Sequence, residues 1–132
     1  EIWAHPGGSA AMGFHAAHLA GSLDRLFTYA RGESLSEAQR DALVEERRLA
    51  DVRPPAAALV ARVDIAVTGA LAQLAETDAS HVLDAREVGR GRLPSTVLGL
   101  LFHAAEHCTR HAGQIATLGK VLQAPAEPAT GA

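Results

Sequence analysis

From Val97 to Leu122 the apolar residues of this chain return at alternating steps of four and three. Val97, Leu101, Ala104, Cys108, His111, Ile115, Leu118 and Leu122 would then share one side of a long α-helix, the geometry of a seam packed against other helices. Pro94-Ser95 is expected to open this helix. The same alternation runs through Val60, Val63, Val67, Ala70 and Leu74, behind Pro54-Pro55, which suits a first helical turn. A third such segment, at about 10–31, follows the breaker cluster His5-Pro6-Gly7-Gly8-Ser9, with Ser9 as N-cap and Met12, Leu19, Leu23, Leu26 and Ala30 as its stripe. Gly32 can stop it in the left-handed conformation. Ser36-Glu37-Ala38-Gln39 has the form of a capping box for a shorter helix to about residue 49. Its run Glu45-Glu46-Arg47-Arg48 reads as a solvated face with no chemistry.

These elements predict an all-α helical bundle. Aromatic residues are only 4% of the chain although 48% is hydrophobic, so the core must come from Ala, Leu and Val, which favours close helix packing over a β-sandwich. The polar and glycine-rich stretch before Pro94 predicts a loop or small hairpin at 79–93, turning at Gly89-Arg90-Gly91. The 132 residues leave room for one domain, expected over 1–123, and 124–132 reads as a disordered tail.

Charge and composition narrow the partners. With 12 basic and 15 acidic residues and no run of Lys or Arg, the chain lacks the electrostatic footprint of a nucleic-acid binder. The single cysteine closes no intramolecular disulfide, and no apolar stretch is expected to reach the roughly 18 residues that span a bilayer. No signal-peptide pattern is visible, the chain opens on Glu1 rather than Met, and a cytoplasmic setting is expected.

The histidines carry the chemistry. His103, His107 and His111 stand four apart, so on a helix successive rings lie about 40° apart around the axis, one turn above the other. His111 falls on the seam, His107 at its edge and His103 further toward solvent. A lone histidine on an apolar face is usually an ordinary core residue. Two neutral imidazoles side by side, however, each need partners for their ring nitrogens, and a shared cation satisfies both. Phe14-His15-Ala16-Ala17-His18 offers a third ligand from the first helix. Periodicity places His15 nearer the centre of the stripe and His18 at its flank, and both remain candidates on these grounds. Three nitrogens with an open position describe a catalytic or exchange-labile site for zinc, nickel, copper or iron(II). Glu106, Gln114 and Arg110 are candidates for the shell around the ligands.

Trp3-Ala4-His5-Pro6-Gly7-Gly8-Ser9, with Gly13-Phe14-His15-Ala16-Ala17-His18-Leu19-Ala20-Gly21-Ser22, resembles the DinB/YfiT-like superfamily. The same holds for Phe102-His103-Ala104-Ala105-Glu106-His107-Cys108-Thr109-Arg110-His111-Ala112-Gly113-Gln114-Ile115. The resemblance implies a four-helix bundle whose metal, zinc or nickel, is held by His18, His107 and His111, with His15 and His103 as alternates. It also implies an enzyme using a low-molecular-weight thiol on a small-molecule substrate, as in the bacillithiol, mycothiol or glutathione transferases and mycothiol-dependent maleylpyruvate isomerase of that superfamily. Members usually carry another helix before the first histidine motif. Its absence would leave a face of the bundle uncovered, and a homodimer is the expected consequence.

Three functions follow as expectations. In the first, the metal activates a thiol whose carboxylates are received by Arg86, Arg90 and Arg92, since arginine forks suit carboxylates. In the second, metal-activated water hydrolyses an ester or amide with Glu106 as proton carrier. The third is a non-catalytic metal-binding or stress-response module. Cys108 is not expected to act as a nucleophile, because it lies on the apolar seam where small buried cysteines are common.

Overall fold

The computed structural model describes residues 1–124, so the expected tail lies, from residue 125 on, outside the described residues. Five helices and one hairpin follow in the order α1 (Met12–Ala30), α2 (Glu37–Glu46), α3 (Leu49–Val52), α4 (Ala56–Glu76), β1 (Ala85–Val88), β2 (Leu93–Thr96) and α5 (Val97–Gln123). Short 3₁₀ turns at Pro6–Gly8 and Ala79–His81 complete the elements of the described residues. α1 is the central element, packed against α5 on one side and α4 on the other. No long helix precedes it among the described residues.

Two patches of core hold α1 in place. Leu23, Phe27 and Ala104 are buried together beneath Leu26, Ala66, Val67, Ala70, Leu101 and Cys108, which joins all three long helices. Toward the other end Ala17, Leu49 and Leu59 cluster under Ile2, Trp3 and Ala16. Trp3 is tied there by its indole N–H, which donates to the Pro54 carbonyl at 3.0 Å. Gly13 is required beneath it, because a β-carbon at that position would stand 2.6 Å from the indole ring.

Local signals place most of these elements. The capping box forms, with the Gln39 N–H donating to Ser36 Oγ at 3.1 Å and the Ser36 N–H donating to Gln39 Oε1 at 2.9 Å. Gln39 Nε2 also donates to Asp24 and Thr28, which pins α2 onto α1. Gly32 ends α1 at φ 79°, in the left-handed region that glycine occupies without strain. All eight residues of the expected α5 seam are buried or half-buried.

Four expectations are corrected. Ser9 is not the N-cap of α1: it closes the Pro6–Gly8 turn, its N–H donating to the Pro6 carbonyl at 3.1 Å, and the helix begins at Met12 behind Ala11. Pro94-Ser95 does not open the last helix. Both residues lie in β2, where Glu87 pairs with Pro94 and Arg86 with Ser95, and Thr96 caps α5 by accepting the Gly99 N–H. A proline is tolerated there because each strand of a two-stranded hairpin is an edge.

The expected stripe of α4 is only partly its packed face, since Val60 and Leu74 are exposed while Leu59 is buried. α4 packs mainly against α1 and meets α3 and α5 only through the shared core patches, so apolar residues on its other faces, Ile65 and Leu71 among them, stay exposed. By length and composition α4 also reaches the hydropathy of a membrane span, with a mean of 1.5 over an 18-residue stretch, where no such stretch was expected. Arg62 and Asp64 sit within it, and charges inside a span are costly in hydrocarbon.

Candidate metal centre

The facing surfaces of α1 and α5 bring imidazoles from distant segments together. One ligand atom from each of His18, His107 and His111 lies within 4.8 Å of the others. His18 Nε2 and His107 Nε2 stand 3.0 Å apart, and the ring centroids of His18 and His107 lie 4.7 and 4.5 Å from that of His111. His111 is 8% exposed, and its Nε2 is buried without a hydrogen-bond partner.

The outer nitrogen of each ring is engaged, and that shows which atoms face inward. His18 Nδ1–H donates to Glu46 Oε1, and Arg25 Nη1 donates to Glu46 Oε2 at 3.1 Å. His111 Nδ1 meets His15 Nδ1 at 2.9 Å. Arg110 Nη2 donates to His107 Nδ1 at 2.9 Å. The Nε2 atoms of His18 and His107 thus face each other, and His111, its Nδ1 occupied by His15, keeps Nε2 as its free nitrogen. Phe14 stacks on His18 at 5.5 Å and 8° between planes, which limits rotation of that ring.

Burial disfavours the charged form of His111, His107 and His15. His111 is pushed down to about 4, first by burial and then by the neighbouring His107, His18, His15 and Arg110. His107 and His15 are lowered for the same first reason, with His18 the next cause for each. Burial works to raise Glu46, but the His18 hydrogen bond and the Arg25 charge outweigh it and hold the carboxyl below its usual range. Neutral imidazoles backed by a charged carboxylate have the electronic form that a divalent cation needs from its ligands.

A metal fits these residues. The orphaned Nε2 of buried His111 is a polar atom whose burial costs free energy until something takes its lone pair. The His18 and His107 Nε2 atoms, 3.0 Å apart, belong to the same cluster. Three nitrogen donors suit zinc or nickel and leave a position open.

The remaining candidates lie elsewhere. His15 sits on the far side of the His111 ring, at Nδ1, and so backs His111. His103 is exposed and paired with Glu106 at 3.9 Å, and the Glu106 side chain is 70% exposed. Gln114 is exposed on α5. Cys108 is half-buried, and burial pushes its thiol up, against thiolate formation.

Arg86 is spent on structure, its Nε donating to the Ala30 carbonyl at the end of α1 at 2.8 Å. Arg92 pairs with Glu87, and Arg90 is exposed in the hairpin turn. The hairpin joins α5 ten residues before His107, which is about 15 Å along the helix, so these three guanidinium groups belong to the other end of the molecule.

Glu46 is the residue that sequence reasoning missed, read as part of a solvated run. A signal was present in Gly21, four residues before Arg25: a β-carbon there would meet Glu46 Oε2 at 2.7 Å and Arg25 Nη1 at 2.8 Å. Replacing Glu46 by Gln keeps the shape but removes the charge that orients His18 Nδ1–H. Metal affinity is expected to fall roughly 10- to 100-fold, the range seen for such outer partners, in a competition titration against a chelator.

A helical protein with three buried or half-buried imidazoles brought together is a bundle whose histidine cluster could hold a metal ion. The family model of the DinB superfamily matches residues 2–115, and the chain belongs to that superfamily. No curated protein and no solved structure matches the chain.

Proposed function

We propose that this protein binds one divalent cation, zinc or nickel, through the Nε2 atoms of His18, His107 and His111, and that it is a metal-dependent enzyme acting with a low-molecular-weight thiol on a small electrophilic substrate. The observation that carries the reading is the buried, unpartnered Nε2 of His111, clustered with the imidazoles of His18 and His107, the outer nitrogen of His18 being already held by Glu46. When bound, the ion would act as a Lewis acid and hold a thiol sulfur as its thiolate at the open position.

The chain's own residues prepare that chemistry. Glu46 holds His18 in the tautomer that frees Nε2, Arg25 keeps Glu46 ionised, and Phe14 fixes the ring plane. His15 accepts from His111 Nδ1–H and does the same for the buried ring. α1 and α5 are the most extensively packed helix pair, so the ligands stand on a rigid pair of elements. A reducing, cytoplasmic compartment belongs to this reading, as does a homodimer in which a second copy covers the apolar residues exposed on α4.

The test is metal analysis of the purified protein, followed by turnover of an electrophile with a panel of thiols. About one ion per chain, and a rate that requires both metal and thiol, are expected. Bound metal without thiol-dependent turnover above the metal-free protein would leave a binding module and remove the enzyme.

A further inference from the structure

Arg110 is placed where it conflicts with the cation site it borders. A guanidinium carries donors only, so the 2.9 Å contact from Arg110 Nη2 requires His107 Nδ1 to accept, and the ring proton then sits on Nε2, facing His18 Nε2 at 3.0 Å. A neutral ring that gives its Nε2 lone pair to a cation carries its proton on Nδ1. Two N–H groups would then meet across the same 2.9 Å. His18 has no such conflict, because its outer nitrogen faces a carboxylate, nor has His111, whose outer nitrogen faces another imidazole that can accept.

We infer that Arg110 leaves His107 when the three histidines take a divalent cation, and that it then receives an anionic group, specifically a carboxylate, on the ligand that fills the open position. The inference rests on the metal site of the proposed function and names the chemistry of its ligand. Arg110 is exposed on α5 and anchored to the cluster only through this one contact among the described residues, so release needs no rearrangement of the fold. Glu106, one turn back on the same helix, is the nearest competitor for the freed cation in sequence. It is highly exposed and faces His103, and an exposed pair at that spacing is weak. A ligand carboxylate held beside the ion meets the guanidinium at high local concentration, and the bidentate match adds to it. The hairpin arginines do not compete, since they sit about 15 Å further along α5.

The experiment uses cobalt(II)-loaded protein, whose visible spectrum reports a ligand at the ion, titrated with 2-mercaptoethanol, 3-mercaptopropionate and propionate. In the unaltered protein the preference for 3-mercaptopropionate over 2-mercaptoethanol is expected to exceed that of Arg110→Gln by about tenfold, the worth of one charge-assisted pair. Propionate should weaken by a similar factor in the variant, and Arg110→Lys should recover part of the loss. An equal thiol ratio in Arg110→Gln and the unaltered protein overturns the inference and leaves the thiol reading standing. If neither thiol perturbs the spectrum, the thiol reading falls and propionate decides the inference alone: weakening in Arg110→Gln supports it, and equal affinity overturns it.

Discussion

Replacing His111 by alanine is expected to abolish metal retention. The loss should go well beyond the roughly 100-fold that an outer partner is worth, because a ligand atom itself is removed. His111 is the most buried of the three rings, and its Nε2 has no other partner, so nothing in the fold can take over its place. His15 is the nearest substitute, yet it lies at the Nδ1 edge of the same ring, on the side away from the other two Nε2 atoms. Thermal unfolding separates ligand loss from damage to the fold. A saturating cation stabilises a folded protein in proportion to the logarithm of its excess over the dissociation constant, so the unaltered protein should gain several degrees on metal addition. The variant should gain none. Its metal-free form should lose little, since a buried nitrogen lacking a partner costs about 1–3 kcal/mol to keep and the alanine removes that cost. Metal retained at one ion per chain in the variant would refute the assignment. His103→Ala, altering an exposed ring paired with Glu106, should leave retention unchanged.

The second large effect is acid lability between about pH 6.5 and pH 4. His111 in the fold is held down to about 4, first by burial, whereas in the unfolded chain it returns to 6.5. Between those values the unfolded chain binds the extra proton and the folded one does not, so stability falls as pH drops through the window and is fully present above it. From His111 alone the loss approaches about 3 kcal/mol by pH 4, a large part of the stability of a small domain. His107 and His15, lowered for the same reason, steepen the slope. Glu46 has a lowered folded value, so its contribution is present above 4.5 and declines only at lower pH. Urea midpoints of the metal-free protein, measured from pH 7.5 to pH 4, should fall across this range. In His111→Ala the slope should become shallower, and an unchanged midpoint down to pH 5 in the unaltered protein would contradict a buried neutral cluster. Protons compete for the same lone pairs, so bound metal should be released in the same window.

Much of this architecture was legible because helices are written in local pattern. The α5 seam needs only a 3.6-residue period, and the capping box of α2 needs only Ser36 and Gln39 three apart. The same period put His111 on the packed face and His103 outside it, where the structure also has them. Placement of α4 was less legible, since a helix that packs mainly on one neighbour exposes apolar residues that its own pattern assigns to a seam. Ser9 and Pro94-Ser95 were misplaced by a few residues because a 3₁₀ turn and a hairpin register, set by contacts beyond the local sequence, displaced the helix starts.

By itself, then, the amino-acid order determined the helices, their apolar faces and the stack of imidazoles on α5, since each depends on residues within a turn or two of one another. Which histidine of α1 joins the pair was decided by tertiary structure. Periodicity put His15 nearer the stripe, but the way α1 lies on α5 sends His18 to the centre and His15 behind His111. The same is true of Glu46, whose charge looked solvated in its own helix and is half-buried because α2 folds down over Gly21 and Arg25. A spacing along the chain sets the angle between side chains on one helix, whereas the meeting of two helices depends on how their surfaces pack, which no single segment encodes.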